Sequence, residues 1–75
     1  METFVIYLGE RDERWYVVAL DLRSFRVSST RNPHLAADTT PQEAIETARY
    51  LRAYTRNPYQ MTSLREAVET YEDQR

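Results

Sequence analysis

The sequence predicts an α+β fold: a three-stranded antiparallel sheet (β-β-β) packed by one helix, with a second, short helix at the C-terminal end. Three observations carry this. Residues 3–29 hold three short runs rich in β-branched and aromatic side chains. Residues 38–46, Asp-Thr-Thr-Pro-Gln-Glu-Ala-Ile-Glu, form a complete helix start. The regular segments after that start follow helical spacing.

Thr3-Phe4-Val5-Ile6-Tyr7-Leu8 reads as the first strand. Its alternation puts Phe4, Ile6 and Leu8 on one face and Thr3, Val5 and Tyr7 on the other. Gly9-Glu10-Arg11-Asp12-Glu13 is a polar turn that contains the only glycine, and its length favours an antiparallel hairpin. The second strand spans Arg14 to Leu20, with Tyr16, Val18 and Leu20 sharing one face and Trp15, Val17 and Ala19 the other. Asp21-Leu22-Arg23-Ser24 reads as a tight connection. Phe25-Arg26-Val27-Ser28-Ser29 then alternates as a half-exposed strand, with Phe25 and Val27 toward the core. Residues 30–39 carry no regular pattern and take Asn32-Pro33 as their turn signal, so this loop is expected to be the most mobile part.

Thr40 is placed to cap the first helix, Pro41 to occupy its first position and Glu43 to reach back to Thr40. The helix is expected to run from Pro41 to about Thr55. Ala44, Ile45, Ala48 and Leu51 form its apolar stripe, and the alanines let it lie close to a sheet. Asn57-Pro58 stops it. Ser63 opens a second capping box with Glu66, and Leu64, Ala67, Val68 and Tyr71 follow as a narrow apolar seam flanked by charge.

Composition narrows the function classes. Seventy-five residues predict a single domain over 1–75. A core of this size rarely supplies more than roughly 3–5 kcal/mol, which makes a second subunit or a partner a plausible source of added stability. There is no cysteine, so disulfides and thiolate metal sites are excluded. His34 is the only histidine, which excludes a multi-histidine cluster within one chain. Apolar runs reach five or six residues, far short of a membrane span, and Met-Glu-Thr-Phe-Val is not a signal peptide, so a cytoplasmic protein with no membrane contact is expected. The net charge of −2 does not point to a strongly acidic or basic partner. All ten cationic side chains are arginine.

Trp15-Tyr16-Val17-Val18 followed by Asp21-Leu22, and then Thr40-Pro41-Gln42-Glu43-Ala44, resembles the HicB-like antitoxin domain over roughly residues 3–55. The chain departs from that pattern at Arg23-Ser24, where the family has Pro-Gly, and in about eight additional residues near 30–37. The resemblance implies a β-β-β-α module that binds a small RNase toxin or another protein. It implies no catalytic residue.

Catalysis by an acid–base group needs a tuned histidine or carboxylate pair, and neither His34, Asp21 nor Asp38 has a partner in the sequence. No catalytic residue, metal site or cofactor is therefore expected. Tyrosine, tryptophan and arginine are enriched at interface hot spots. The favoured reading is a non-enzymatic protein-binding module, an antitoxin-like domain or a small phage-type inhibitor that blocks a host or toxin protein. Arg49, Tyr50, Arg52 and Tyr59 are its expected anchors, with Tyr50 and Tyr59 exposed. Tyr7, Trp15 and Tyr16 are assigned to the core or its margin. The alternative is a small nucleic-acid-binding protein contacting phosphates or another anion through Arg23, Arg26, Arg31 and Arg56 together with Arg49 and Arg52. A homodimer would pair through the Leu64, Val68 and Tyr71 seam, which otherwise caps the sheet.

Overall fold

The computed structural model describes residues 2–21, 23–24 and 26–74. Their order is β1 (Phe4–Leu8), β2 (Trp15–Asp21), β3 (Arg26–Thr30), a 3-10 turn (Pro33–Leu35), α1 (Pro41–Thr55), β4 (Gln60–Ser63) and α2 (Leu64–Asp73). The predicted α+β class holds, but the sheet has four strands rather than three, in the order β3-β2-β1-β4 with every pair antiparallel. The added strand, β4, lies between the stop of α1 and the cap of α2. Phe4, Val5, Ile6 and Tyr7 pair with Ser63, Thr62, Met61 and Gln60. The expected core position of Phe25 lies outside the described residues.

β1 is apolar on both faces, and both are covered. Ile6 joins Val17, Ala44, Ala48, Leu51 and Tyr59 on the α1 side, with Phe4, Leu8, Leu20, Val27 and Met61 at the margin. Val5, Tyr7 and Tyr16 join Ala67 on the α2 side, with Ala36 and Leu64 packed beside them. The helices thus lie on opposite faces of the sheet. The α2 seam caps the sheet through Leu64 and the fully buried Ala67. Among the α1 stripe, Ala44, Ala48 and Leu51 are buried, whereas Ile45 is exposed.

The predicted alternation of β2 breaks at Val18. The pairing with β3 shifts register between Val17 and Ala19, so Val17 and Leu20 end on the same side. An extra residue in one strand inverts the side-chain parity beyond it. Val18 is consequently exposed instead of sharing a face with Tyr16 and Leu20.

β1 and β2 pair through Tyr7 with Tyr16 and Leu8 with Trp15. Beyond that point residues 37–39 hydrogen-bond to both strands. Ala37 N–H donates to the Val17 carbonyl at 3.1 Å, and Phe4 and Thr39 exchange two backbone bonds of 2.8 Å each. The loop expected to be mobile is therefore stitched between two strands. It also contains the buried Pro33 and an Asn32 cap on the 3-10 turn.

The Thr40 start forms as predicted, whereas at Ser63 the side-chain cap forms but the Glu66 carboxylate turns to Arg14, Thr62 and Thr70 instead of closing the box. Thr40 Oγ1 accepts from Glu43 N–H at 3.2 Å and donates to Glu43 Oε1 at 2.9 Å. Ser63 Oγ accepts from Glu66 N–H at 3.1 Å. α1 ends on Arg56, a non-glycine residue in the left-handed region at φ 61°, whose N–H donates to the Arg52 carbonyl at 3.1 Å. Gly9 adopts φ 115°, and a β-carbon there would collide with the Glu13 carbonyl, which explains a glycine at this turn.

Candidate functional site

Helical geometry advances about 100° per residue, which puts Arg49 and Arg52 in one file along α1 and Tyr50 and Tyr54 in another, about 150° away, with Arg56 closing the helix end. The expected anchors on α1 are thus divided between two flanks of the helix, Arg49 and Arg52 on one and Tyr50 on the other. All three arginines are exposed. Ile45 lies at the head of the Arg49 and Arg52 file and is also exposed.

The tyrosine flank faces β2 and β3. Tyr50 and Tyr54 are one helical turn apart and their rings stack, with centroids 4.2 Å apart and planes inclined by 29°. Tyr50 is half-buried and Tyr54 is 61% exposed. Desolvation holds the Tyr50 phenol above its usual range, followed by the charge and hydrogen bond of Tyr54. With Leu51 and Thr55 of α1, Leu20 of β2 and Val27 of β3, the pair lines a groove of about 430 Å³. A shallower depression of about 360 Å³ continues past Tyr50 along Leu20, Glu46 and Thr47.

The floor of this groove follows from the sheet's geometry. α1 packs over β1 and β4, so the α1-side face of the β2–β3 pair is only partly covered. The bulge at Val18 turns Leu20 to that face, where it sits opposite Val27. β3 is an edge strand and presents unpaired backbone donors and acceptors along its outer side. The turn before it is shaped by Asp21, whose Oδ1 accepts from Arg23 N–H at 2.9 Å and Ser24 N–H at 3.4 Å. The Arg23 backbone bond, then those from Ser24, hold the Asp21 carboxyl below its ordinary value. Exposed Arg23 and Arg26 flank the start of the edge strand.

The remaining candidates are dispersed. Tyr59, expected to be exposed, is 6% exposed and belongs to the α1-side core; burial raises its phenol pKa. It cannot serve as a surface anchor. The short return from α1 into β4 turns it inward, because Tyr59 N–H bonds to the Asn57 carbonyl and closes a tight bend. Trp15, assigned to the core or its margin, is 47% exposed, with the Arg31 guanidinium 5.3 Å from its ring centroid. Arg31 is therefore far along the sheet from Arg23 and Arg26, and the arginines do not form one continuous track. Val68 lines an open depression with Leu64, Thr3 and Arg65, while Tyr71 meets His34 edge-on at 6.3 Å.

Leu20 and Val27 are groove residues that the sequence placed only in strands, and Tyr54, which stands with Tyr50 among the arginines at the end of α1, was not among the expected protein-binding anchors. The aromatic pair at i and i+4 was the available signal for Tyr54. Among the described residues there is no group of three or more His, Asp or Glu that could hold a metal ion, and no helix long and apolar enough to cross a membrane. Comparison with protein families, curated proteins and solved structures gave no match.

Proposed function

We propose that this chain is a non-enzymatic protein-binding module, antitoxin-like or a small phage-type inhibitor, that grips an extended segment of a partner protein along the edge of β3. The observation that carries this reading is the Tyr50–Tyr54 stack bordering an apolar groove beside an open strand edge. An added strand would satisfy the outer backbone groups of β3, and one of its apolar side chains would enter the groove between Leu20, Val27 and Tyr54. Arg23 and Arg26 beside the strand start favour acidic residues in the segment. Two stacked tyrosines supply contact area with little rotamer entropy to lose.

The experiment is a paired capture from lysate of the source cells after nuclease digestion, using wild type and the double variant Tyr54→Ala/Val27→Asp. A protein retained by wild type and lost by the variant supports the reading. An identical set of retained proteins, or capture that disappears on nuclease treatment, contradicts it; the latter would favour the arginine-based nucleic-acid alternative.

A further inference from the structure

On the opposite face of the sheet, three arginines border one recess where the β1–β2 hairpin approaches the last turn of α2. Arg11, Arg14 and Arg31, with Tyr16, Tyr71 and Gln74, line a recess of about 80 Å³. None of the lining residues is acidic. We propose that this recess binds a compact oxyanion of the phosphate class.

The first support is Arg14. Its side chain is 10% exposed. One terminal nitrogen, Nη1, donates to Glu66 Oε2 at 2.9 Å, and the guanidinium carbon stands 4.1 Å from the Tyr7 ring centroid. Its Nε–H is buried with no acceptor among the described residues. Such groups are uncommon in folded proteins, and an ion or a water that supplies the acceptor is one account of them.

The second support is the charge around it. Neither Arg11 nor Arg31 has a carboxylate within ion-pair distance among the described residues. Arg31 is steadied by the Trp15 ring and by a 3.5 Å contact from Nη2 to the Asp12 carbonyl. The backbone of Arg11 is fixed by Gln74, whose Nε2 donates to the Arg11 carbonyl at 2.7 Å. The hairpin and the end of β3 therefore bring three cationic residues to one recess, of which Glu66 offsets one. An anion carrying up to two negative charges would balance the remainder.

The third support is shape. The recess has room for a few water-sized groups and none for an extended chain. Guanidinium forks match the oxygen spacing of phosphate and bind it bidentately. The oxyanion could be free phosphate or the terminal group of a small phosphate monoester.

The test is a titration of the full chain, labelled with ¹⁵N in its arginine side chains, with sodium phosphate at constant ionic strength. Saturable shifts of the Arg14, Arg11 and Arg31 Nε signals are expected. Arg11→Gln and Arg31→Gln remove exposed side chains and leave the core intact; each should weaken binding about tenfold. Tyr54→Ala, on the other face, should leave it unchanged. A parallel titration with phenyl phosphate separates the sources: tighter binding than inorganic phosphate indicates a monoester, and equal or weaker binding indicates the free ion. Shifts that grow linearly without saturating, or equal affinity in wild type and both glutamine variants, would overturn the proposal.

Discussion

Glu66 Oε2 accepts from Arg14 Nη1 at 2.9 Å, and this ion pair ties the first turn of α2 to the residue that leads into β2. The same carboxylate accepts from Thr62 Oγ1 at 2.8 Å and, through Oε1, from Thr70 Oγ1 at 3.0 Å. The carboxyl predicted to serve the helix cap thus organises a polar cluster that joins β2, β4 and α2. Tyr7 continues it by donating its hydroxyl to Gln60 Oε1 at 2.9 Å. Burial opposes the Arg14 charge, but its bonds to Glu66 and Tyr16 prevail and raise its pKa above the ordinary value.

The Arg14 hydrogen bond is the main influence lowering the Glu66 pKa; desolvation opposes it, and Thr62 and Thr70 assist. A carboxyl whose folded pKa is depressed contributes stability that is complete above its unfolded value and lost as pH falls through the folded one. For Glu66 the loss begins near 4.5 and proceeds downward. Glu66→Gln should cost about 1–3 kcal/mol at pH 7. The lower part of that range is expected, because the Glu66 side chain is 38% exposed and water screens the pair. Thermal melts of wild type and variant from pH 7 to pH 3 should converge as the pH falls below 4.5. Parallel profiles would refute this role for Glu66.

Arg56 closes α1 in a backbone conformation that favours glycine. Arg56→Gly should stabilise the fold by about 0.5–1 kcal/mol, raising Tm by roughly 2–8 °C. Arg56 is not among the residues that line the tyrosine groove, so the change should leave partner capture intact. A lowered Tm would show that the side chain has a stabilising contact that outweighs the backbone strain.

The close approach of α1 to the sheet depends on Ala44 and Ala48, both essentially inaccessible to solvent. Ala48→Leu should overpack that contact and cost about 1–3 kcal/mol in urea unfolding. Ala53→Leu, on the exposed side of the same helix, should change stability by less than about 0.5 kcal/mol. Equal costs at the two positions would contradict the packing described for α1.

Much of the fold was legible because local signals and tertiary packing agree. The Thr40 and Ser63 caps, the three N-terminal strands and the Ala44, Ala48 and Leu51 stripe all fall where their residues predict. β4 escaped because Gln60-Met61-Thr62-Ser63 is short and carries one apolar residue, so β1 supplies its reason to be extended. The apolar character of both β1 faces was the missed clue to a strand flanked on either side and covered from both sides. The Val18 bulge has no signature in the alternation of β2, and without it Leu20 would not be placed in the groove. Tyr59 looked exposed because it follows Pro58, yet the bend into β4 buries it. The candidate site was half legible: Tyr50 stood out by helical phase, whereas the groove depends on a bulge and on a helix displaced toward β4, which are properties of the folded sheet.

The central claim is that Tyr54 anchors a protein partner at the groove beside β3. Calorimetric titration of the captured partner with wild type and Tyr54→Ala tests it most directly. Truncating an interface hot spot costs about 2 kcal/mol or more, so the variant should bind roughly thirtyfold more weakly while its melting temperature stays near that of wild type. Unchanged affinity in a folded Tyr54→Ala variant would contradict the account.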